Sequence, residues 1–225
     1  MQKKIYTTAG ILFFSLLFAF NTNIYAQSEI GIKGGATYFG LNKDISSVVY
    51  DFEMRSGIAL GAYYKKKNLL GPIDLQIELL YQQKGGNYFI KTFPGENGGE
   101  YYNQPGYYGY TDKWAGYWMR KSQRFHYFSL PVLLSFSPVK FLDIYAGPEI
   151  GYLFSNSGSP HLGWEPTRFS AGLTGGAAFK IDKYTKLDIR YSNDLTRIAD
   201  FGDTDIKNYG WAFTIQRALL FRKQK

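Results

Sequence analysis

The clearest structural signal lies between Arg124 and Phe154, which read RFHYFSLPVLLSFSPVKFLDIYAGPEIGYLF. This segment predicts two strands joined by a tight turn at Ser137–Lys140. In the second strand, apolar residues alternate with a phase that carries Asp143 and Glu149, and a period of two is typical of a strand with two unlike faces. A soluble barrel turns the apolar face inward, whereas a membrane barrel turns it outward and keeps the polar face in the lumen. The hairpin alone fits both, so the rest of the chain has to distinguish them.

Residues 1–26 predict a secretory signal peptide. Lys3 and Lys4 precede an apolar run from Gly10 to Phe20, which is too short to cross a membrane as a helix. The alternative is a retained anchor helix. The remaining domain, residues 27–225, contains no cysteine and no second long apolar run. Without such a run, an exported chain can cross a membrane only as a closed barrel.

Eight strands can be drawn in this domain, most of them near the length that a tilted membrane strand needs. They are Glu29–Phe39, Arg55–Lys65, Ile73–Gln83, Arg124–Ser137, Val139–Phe154, Arg168–Lys180, Thr185–Ser192 and Tyr209–Phe221. Short and long connections alternate between them, as in outer-membrane barrels. We therefore predict an all-β fold, an eight-stranded antiparallel up-and-down transmembrane β-barrel. Its short turns and both termini would be periplasmic and its long loops extracellular, in the outer membrane of a Gram-negative bacterium.

The two faces of the predicted strands support this interpretation. One phase is almost free of charge and carries aromatic residues near both strand ends, which is typical of the two interfacial girdles of a membrane barrel. The other phase carries charges of both signs. It predicts a polar network in the lumen, formed by Lys33, Asp74, Glu78, Asp143, Glu149, Asp188 and Arg190. A paired structural network is the first interpretation, because buried charges need partners; an ion or proton path is the alternative.

The segment Tyr127–Leu134, YFSLPVLL, resembles the YxxIPxLL-type segment of the Bacteroidota outer-membrane β-barrel family, the porin-like or PorT-like barrels. Gly147-Pro148 and the glycine-rich Gly31–Gly35 resemble two further landmarks, and the similarity covers most of residues 27–221. The resemblance implies an eight-stranded outer-membrane barrel, a family in which most members have no assigned activity. Two departures are the long aromatic loop and the four residues that follow Phe221.

Two prolines lie inside predicted strands, Pro131 and Pro148. Each removes a ladder hydrogen bond, and a closed barrel has no edge strand to accommodate it. We therefore expect β-bulges at both positions.

The residues that could carry catalysis are not arranged for it. His126 and Ser129 are three positions apart in a strand, which places them on opposite faces. Asp200, Asp203 and Asp205 lack the glycine and distal glutamate of a calcium loop. We predict no enzyme activity and no catalytic, cofactor or metal site. The net charge of +8 is scattered and forms no basic stripe, so no nucleic-acid partner is expected.

The loop Lys84–Gln123 is the remaining feature. It is rich in glycine and holds a candidate extracellular recognition set: Tyr101, Tyr102, Tyr107, Tyr108, Tyr110, Trp114 and Trp118. Aromatic, glycine-rich loops suit recognition of sugars or proteins; equally, the flanking strands could extend above the membrane so that the aromatic residues pack on each other.

The leading hypothesis is a structural or interaction component of the cell envelope, a subunit of a larger outer-membrane complex. The alternatives are a narrow porin-like pore for small solutes and, less favoured, a lipid-modifying enzyme. Expected partners are outer-membrane lipid and lipopolysaccharide, the barrel assembly machinery, and other envelope proteins or surface glycans.

Overall fold

The structure is a computed structural model that describes residues 28–43, 50–92, 117–158, 166–201 and 204–222. The predicted signal peptide lies outside these residues. The described residues form nine strands: β1 Ser28–Lys43, β2 Tyr50–Leu70, β3 Ile73–Thr92, β4 Tyr117–Val139, β5 Leu142–Gly158, β6 Phe169–Lys180, β7 Thr185–Asp194, β8 Ala199–Phe201 and β9 Thr204–Arg222.

Eight of these strands form a closed antiparallel ring. Strands β1 to β7 pair in chain order, β7 pairs with β9, and β9 closes the ring on β1 from Ser28↔Arg222 to Lys43↔Ile206. Among the described residues, the short strand β8 pairs with β9 alone, as a small hairpin beside the ring. The prediction of an eight-stranded antiparallel up-and-down barrel is confirmed. Within the described residues, no helix is long and apolar enough to cross a membrane.

Three tight turns lie at one end of the ring, which we call the short-turn end. The first turn contains Gly71 with φ 62°, a conformation that glycine adopts without strain. The second occupies Lys140 and Phe141, two residues later than predicted. In the third, Asp182 Oδ1 accepts backbone N–H bonds from Tyr184 (2.6 Å) and Thr185 (2.8 Å). These bonds, the one from Tyr184 first, hold the pKa of the Asp182 carboxyl below its usual value of 3.8.

The wall of the ring has an inverted polarity. Along β3 the apolar Leu79 is 60% exposed while its neighbour Glu78 is 1% exposed. The exposed face carries two belts of aromatic residues. Tyr38, Phe128, Tyr152, Phe169, Tyr191 and Trp211 lie toward the long-loop end, and Tyr64, Phe136 and Phe179 lie toward the short-turn end. On β4, eight residues separate Phe128 from Phe136, which on a strand tilted by ~40° is about 21 Å. This height matches the apolar band of a membrane barrel, about 25 Å.

The strands continue beyond the long-loop belt by unequal lengths, and β3 and β4 continue furthest. β3 runs eleven residues past Tyr81 to Thr92, and its pairing with β4 continues to Thr92↔Tyr117. This ribbon is roughly 30 Å tall above the belt. On the opposite side, β6 begins at Phe169, within the belt itself. The prediction of a loop over Lys84–Gln123 is therefore wrong at both ends, because these residues continue the β3–β4 ladder.

The candidate recognition residues divide accordingly. Trp118 belongs to β4 and pairs with Lys91, so it is a strand residue rather than a loop residue. The other six lie outside the described residues: Tyr101, Tyr102, Tyr107, Tyr108, Tyr110 and Trp114.

The bulges expected at the two prolines are absent. The β4–β5 register is the same at Pro131↔Glu149 and at Leu134↔Ala146, and only the pairs between them are missing. The β5–β6 ladder runs through Pro148↔Leu173 without a shift. Each proline instead interrupts the pairing on one side of its strand. Pro131 lies in a gap of the β3–β4 ladder and Pro148 in a gap of the β4–β5 ladder, and neither gap contains an inserted residue. The register shifts of the β4–β5 pairing lie instead between His126 and Tyr127 and between Phe136 and Val139.

Candidate functional site: the filled lumen

The structure places all seven predicted lumen residues on the inner face of the ring. None of the seven is more than 9% exposed: Lys33, Asp74, Glu78, Asp143, Glu149, Asp188 and Arg190. They are not one continuous set. Together with residues that the pattern did not single out, they form three layers along the barrel axis.

The middle layer is centred on Glu78 of β3. Its carboxylate accepts two hydrogen bonds from Arg190 across the lumen, Nη1 to Oε2 at 2.8 Å and Nη2 to Oε1 at 2.7 Å. Lys33 lies between the two acids of the layer, 3.2 Å from Glu78 Oε1 and 2.9 Å from Asp188 Oδ1. Asp188 also accepts bonds from Thr214 and Gln216, and from the Tyr145 hydroxyl. Strands β1, β3, β5, β7 and β9 are thereby joined through the lumen.

The layer at the short-turn end is centred on Asp143. Three lysines reach its carboxylate: Lys180 at 2.6 Å, Lys186 at 3.1 Å and Lys65 at 3.3 Å. Lys65 also pairs with Asp74 at 3.1 Å. Glu29 adds a second carboxylate, held by Lys67 at 3.2 Å and by the Tyr63 hydroxyl at 2.7 Å.

The layer toward the long-loop end is centred on Lys84. Its ammonium contacts Glu149 at 3.0 Å and Asp194 at 2.9 Å. Asn208 donates to Asp194 at 3.0 Å, and Ser192 donates to Glu149 at 3.4 Å. The ammonium also lies 5.4 Å from the ring centroids of Phe39 and Tyr127, so two aromatic faces cover the cation.

The charges of the three layers balance when they are summed over the whole network. The acids of the network are Glu29, Asp74, Glu78, Asp143, Glu149, Asp188 and Asp194, and the bases are Lys33, Lys65, Lys67, Lys84, Lys180, Lys186 and Arg190. Seven negative charges thus meet seven positive ones. Such balance is what burial requires, because an unpaired charge in a low-dielectric interior costs several kcal/mol.

An apolar cluster closes the lumen above the Lys84 layer. It consists of Leu41, Phe125, Tyr127, Leu153, Ile198 and Ile206, all of them buried. Ile198 reaches this cluster from the segment between β7 and β8, where its N–H bonds to the carbonyl of Ile206 at 2.7 Å. Inside the membrane band the interior is mostly polar, with one small apolar cluster at Leu133, Tyr145 and Ala178. Beyond the belt it is apolar, as in a soluble β protein. We call the cluster above the Lys84 layer the apolar cap.

Several network residues were missed by the sequence pattern, although the signal was present. Lys84 has the same parity as Asp74, Gln76 and Glu78, and Asp194 has the same parity as Asp188 and Arg190. The predicted strands end at Gln83 and Ser192, so both residues fall in predicted loops. Continuing each alternation by one or two further residues finds both of them.

His126 and Ser129 lie on opposite faces of β4, as predicted from their spacing. Ser129 is fully buried toward the lumen, whereas His126 is half-buried on the outer wall, where its Nδ1 is 2.8 Å from the Tyr81 hydroxyl. Among the described residues, no group of three His, Cys, Asp or Glu side chains could hold a metal ion.

A closed antiparallel ring with an apolar outer wall, two aromatic belts and an ion-paired lumen is a transmembrane β-barrel. Residues 21–223 match the family described as "Outer membrane protein beta-barrel domain". The chain belongs to this family, and the family places it in the outer membrane.

Solved structures with a similar fold include three outer-membrane proteins. Neisserial surface protein A is 10% identical, with a TM-score of 0.49, over 86% of this chain and 99% of that chain. The attachment invasion locus protein of Yersinia pestis, in complex with the heparin analogue sucrose octasulfate, is 12% identical, with a TM-score of 0.44, over 87% and 100%. The outer membrane protease of Escherichia coli is 9% identical, with a TM-score of 0.38, over 89% and 100%. A search of curated proteins gave no match. At these identities and scores, none of the three structures informs the function of this chain.

Proposed function

We propose that this protein is a closed, non-conducting barrel that serves as a structural and interaction component of the cell envelope, as a subunit of a larger outer-membrane complex. The observation that carries the proposal is the filled lumen. Three ion-paired layers, whose charges balance when the layers are taken together, and the apolar cap occupy the space through which a solute would have to pass. The protein acts through what it presents outside the ring.

The trans-lumen bonds support the non-conducting state. Arg190 and Glu78 form a bidentate pair across the lumen, and Lys84 joins Glu149 to Asp194 above it. Opening a water-filled path would separate several of these buried pairs together. Breaking a single buried pair already costs about 3–5 kcal/mol, so a spontaneous open state would be rarely populated.

The proposed orientation puts the short-turn end and both chain termini in the periplasm. Short periplasmic turns and longer external connections are the rule for barrels of this class. The resemblance of YFSLPVLL to the PorT-like barrels of Bacteroidota favours the same orientation and this narrower kinship. The tall β3–β4 ribbon then projects outward and carries residues 93–116, where most of the predicted aromatic recognition set lies.

The proposal includes no catalysis. The one histidine that the structure describes, His126, lies on the outer wall, whereas Ser129 faces the lumen. Recognition by the projecting ribbon requires only a surface and a rigid support, and the filled barrel supplies the support.

Planar bilayer recording and co-purification test the proposal together. The wild-type protein should show no stable channel, and it should retain an envelope partner when extracted from native membranes in mild detergent. Replacing residues 93–116 by a short Gly-Ser turn should keep heat-modifiable migration on gels but lose that partner. The matched control replaces residues 159–165, which connect β5 to β6, and should keep it.

Three outcomes would contradict the proposal. A reproducible conductance of the wild type would favour the narrow pore. A partner retained after replacement of residues 93–116 would move recognition to another surface, and failure of that variant to insert would make the segment part of the barrel core. Cleavage of the 93–116 segment by protease added to whole cells checks the orientation separately.

A further inference from the structure

The outer wall carries a cluster of two arginines and a histidine just beyond the long-loop aromatic belt. Along β4 the outward residues after Phe128 are His126 and Arg124, because Phe125 and Tyr127 between them are buried in the lumen. Two and four positions on a tilted strand lie roughly 5–10 Å beyond the belt. This is the depth of the lipid head groups, which flank the ~30 Å hydrocarbon core on each side.

Arg55 of β2 joins this cluster from the other side of β3. The pairing of β2 with β3 shifts by one residue between Met54 and Ala59, and a bulge of this kind re-aims the side chains near it. Arg55 Nη1 donates to Ser122 Oγ of β4 at 2.7 Å, so its side chain crosses the outer face of β3. Gly85 of β3 has φ 108°, a conformation that favours glycine, and a Cβ at this position would meet the Gln123 backbone and the Phe125 ring.

A hydrogen-bond chain orients the histidine. Gln83 Nε2 donates to the Tyr81 hydroxyl at 2.9 Å, and that hydroxyl lies 2.8 Å from His126 Nδ1. Because the hydroxyl already accepts a bond from Gln83, it can give its own proton to Nδ1. The neutral ring then carries its proton on Nε2, which leaves this nitrogen as an N–H donor.

The cluster has donors and charge in excess. Arg55 reaches Ser122, which is two positions from Arg124 on the same outward face of β4, so the two guanidinium groups lie on one patch of the wall. Within the described residues, the buried Nε of Arg124 has no hydrogen-bond partner. Glu53, two residues from Arg55, pairs instead with Arg120 at 3.2 Å. In the part of the chain that the structure describes, no carboxylate pairs with Arg55 or Arg124. Two guanidinium groups on one patch repel each other, so an anion placed between them is favoured.

We propose that Arg55, Arg124 and His126 bind a phosphate group of lipopolysaccharide at the outer-leaflet interface. Planar guanidinium forks match the oxygens of phosphate in paired, charge-assisted hydrogen bonds. The aromatic floor below the cluster, where Phe154 stacks on Phe128 with ring centroids 4.6 Å apart, suits the boundary between head group and acyl chain. The proposal rests on the orientation given under Proposed function, because that orientation puts the cluster in the outer leaflet.

The test measures lipid retention by the full-length protein refolded in phosphatidylcholine vesicles that contain a tenth of diphosphorylated lipid A. After extraction in mild detergent, the wild-type protein should retain lipid A. The Arg55→Gln/Arg124→Gln variant should retain less lipid A, by a factor of about ten or more. A charge-assisted hydrogen bond to each lost guanidinium accounts for a change of that size. Arg55→Lys/Arg124→Lys keeps the charge without the fork and should fall between the two.

The matched control is Arg168→Gln/Arg197→Gln, which removes the same charge from exposed positions near the same end of the barrel, beside β6 and β8. It should retain lipid A as the wild type does. Equal loss in the control, or no loss in the Arg55/Arg124 variant, would overturn the proposal. So would equal retention of dephosphorylated lipid A.

Two further arms separate related outcomes. Soluble pyrophosphate that displaces lipid A at millimolar concentration would make the cluster a site for free phosphate instead of a lipid site. The Gln variants are judged only after heat-modifiable migration shows that they fold, and the single variants Arg55→Gln and Arg124→Gln serve if the double variant does not. If retention behaves as expected while protease places the 93–116 segment in the periplasm, the proposed orientation fails and the site faces the inner leaflet.

Discussion

Glu78 and Arg190 give the sharpest test of the lumen network. Glu78→Gln keeps the shape of the side chain and removes its charge. The middle layer contains two acids and two bases, Glu78 and Asp188 against Lys33 and Arg190. The substitution therefore leaves a net charge of +1 in a site where Glu78 is 1% exposed. Breaking a buried pair in this way costs about 3–5 kcal/mol in the free energy of unfolding.

The double variant distinguishes pairing from general damage. Arg190→Leu alone leaves the layer at −1, whereas Glu78→Gln/Arg190→Leu restores neutrality through Lys33 and Asp188. We expect the double variant to be more stable than the sum of the two single losses predicts, by about 2–3 kcal/mol. The measurement is equilibrium unfolding in urea with the protein in lipid vesicles, followed by tryptophan fluorescence and by the gel shift.

Glu53 and Arg120 provide the control pair. Their contact is 3.2 Å, as close as many in the lumen, but their side chains are 50% and 60% exposed. Glu53→Gln and Arg120→Leu should each cost less than about 1 kcal/mol, because water screens an exposed pair. If Glu78→Gln cost no more than Glu53→Gln, or if the two lumen substitutions were additive, the stabilising role of the middle layer would be refuted.

Three further changes probe the wall, the turns and the cap. Ile77→Arg, on the lipid-facing wall between the two belts, should cost roughly 2–4 kcal/mol in vesicles, whereas Gln76→Arg points into the lumen and should cost less; the reverse order would contradict the assigned faces. Asp182→Ala should destabilise the barrel at neutral pH. Since the folded-state pKa of Asp182 is lowered, its contribution is present above pH ~4 and lost as the pH falls through that lowered pKa, so unfolding curves of the variant and the wild type should converge in acid. Ile198→Ala should loosen the apolar cap by about 2–4 kcal/mol yet produce no channel in bilayers, because the three ion-paired layers remain below it.

The membrane part of the fold follows from local chemistry and could be predicted from the sequence. Alternation alone assigns Asp188 and Arg190 to the lumen and Leu187 and Ile189 to the wall. Lipid requires apolar side chains on one face of the strand, and the narrow interior accepts polar ones on the other. The apolar wall and the glycine-rich strands left little choice of architecture once a helix was excluded.

The parts that escaped prediction depend on contacts between distant strands. The ends of β3 and β4 could not be predicted. The length needed to cross a membrane does not determine how far two paired strands continue beyond it into water. Arg55 belongs by parity to the lumen, and only the shift in the β2–β3 pairing brings it to the outer wall beside Ser122. The prolines were misjudged for a related reason, since a ladder can lose a pair without changing register.

The network of the middle layer also constrains how the barrel can be assembled. Glu78 and Arg190 are separated by 112 positions in the chain, and Lys33 reaches them from the strand that forms the last seam with β9. Neighbouring hairpins can form early, but these charges meet only when the sheet has curled fully and the seam is sealed. An unsealed sheet would expose them to hydrocarbon without partners, at a cost of several kcal/mol each. Closure of the barrel and its insertion into the membrane are therefore coupled, and a half-inserted barrel is not a stable intermediate.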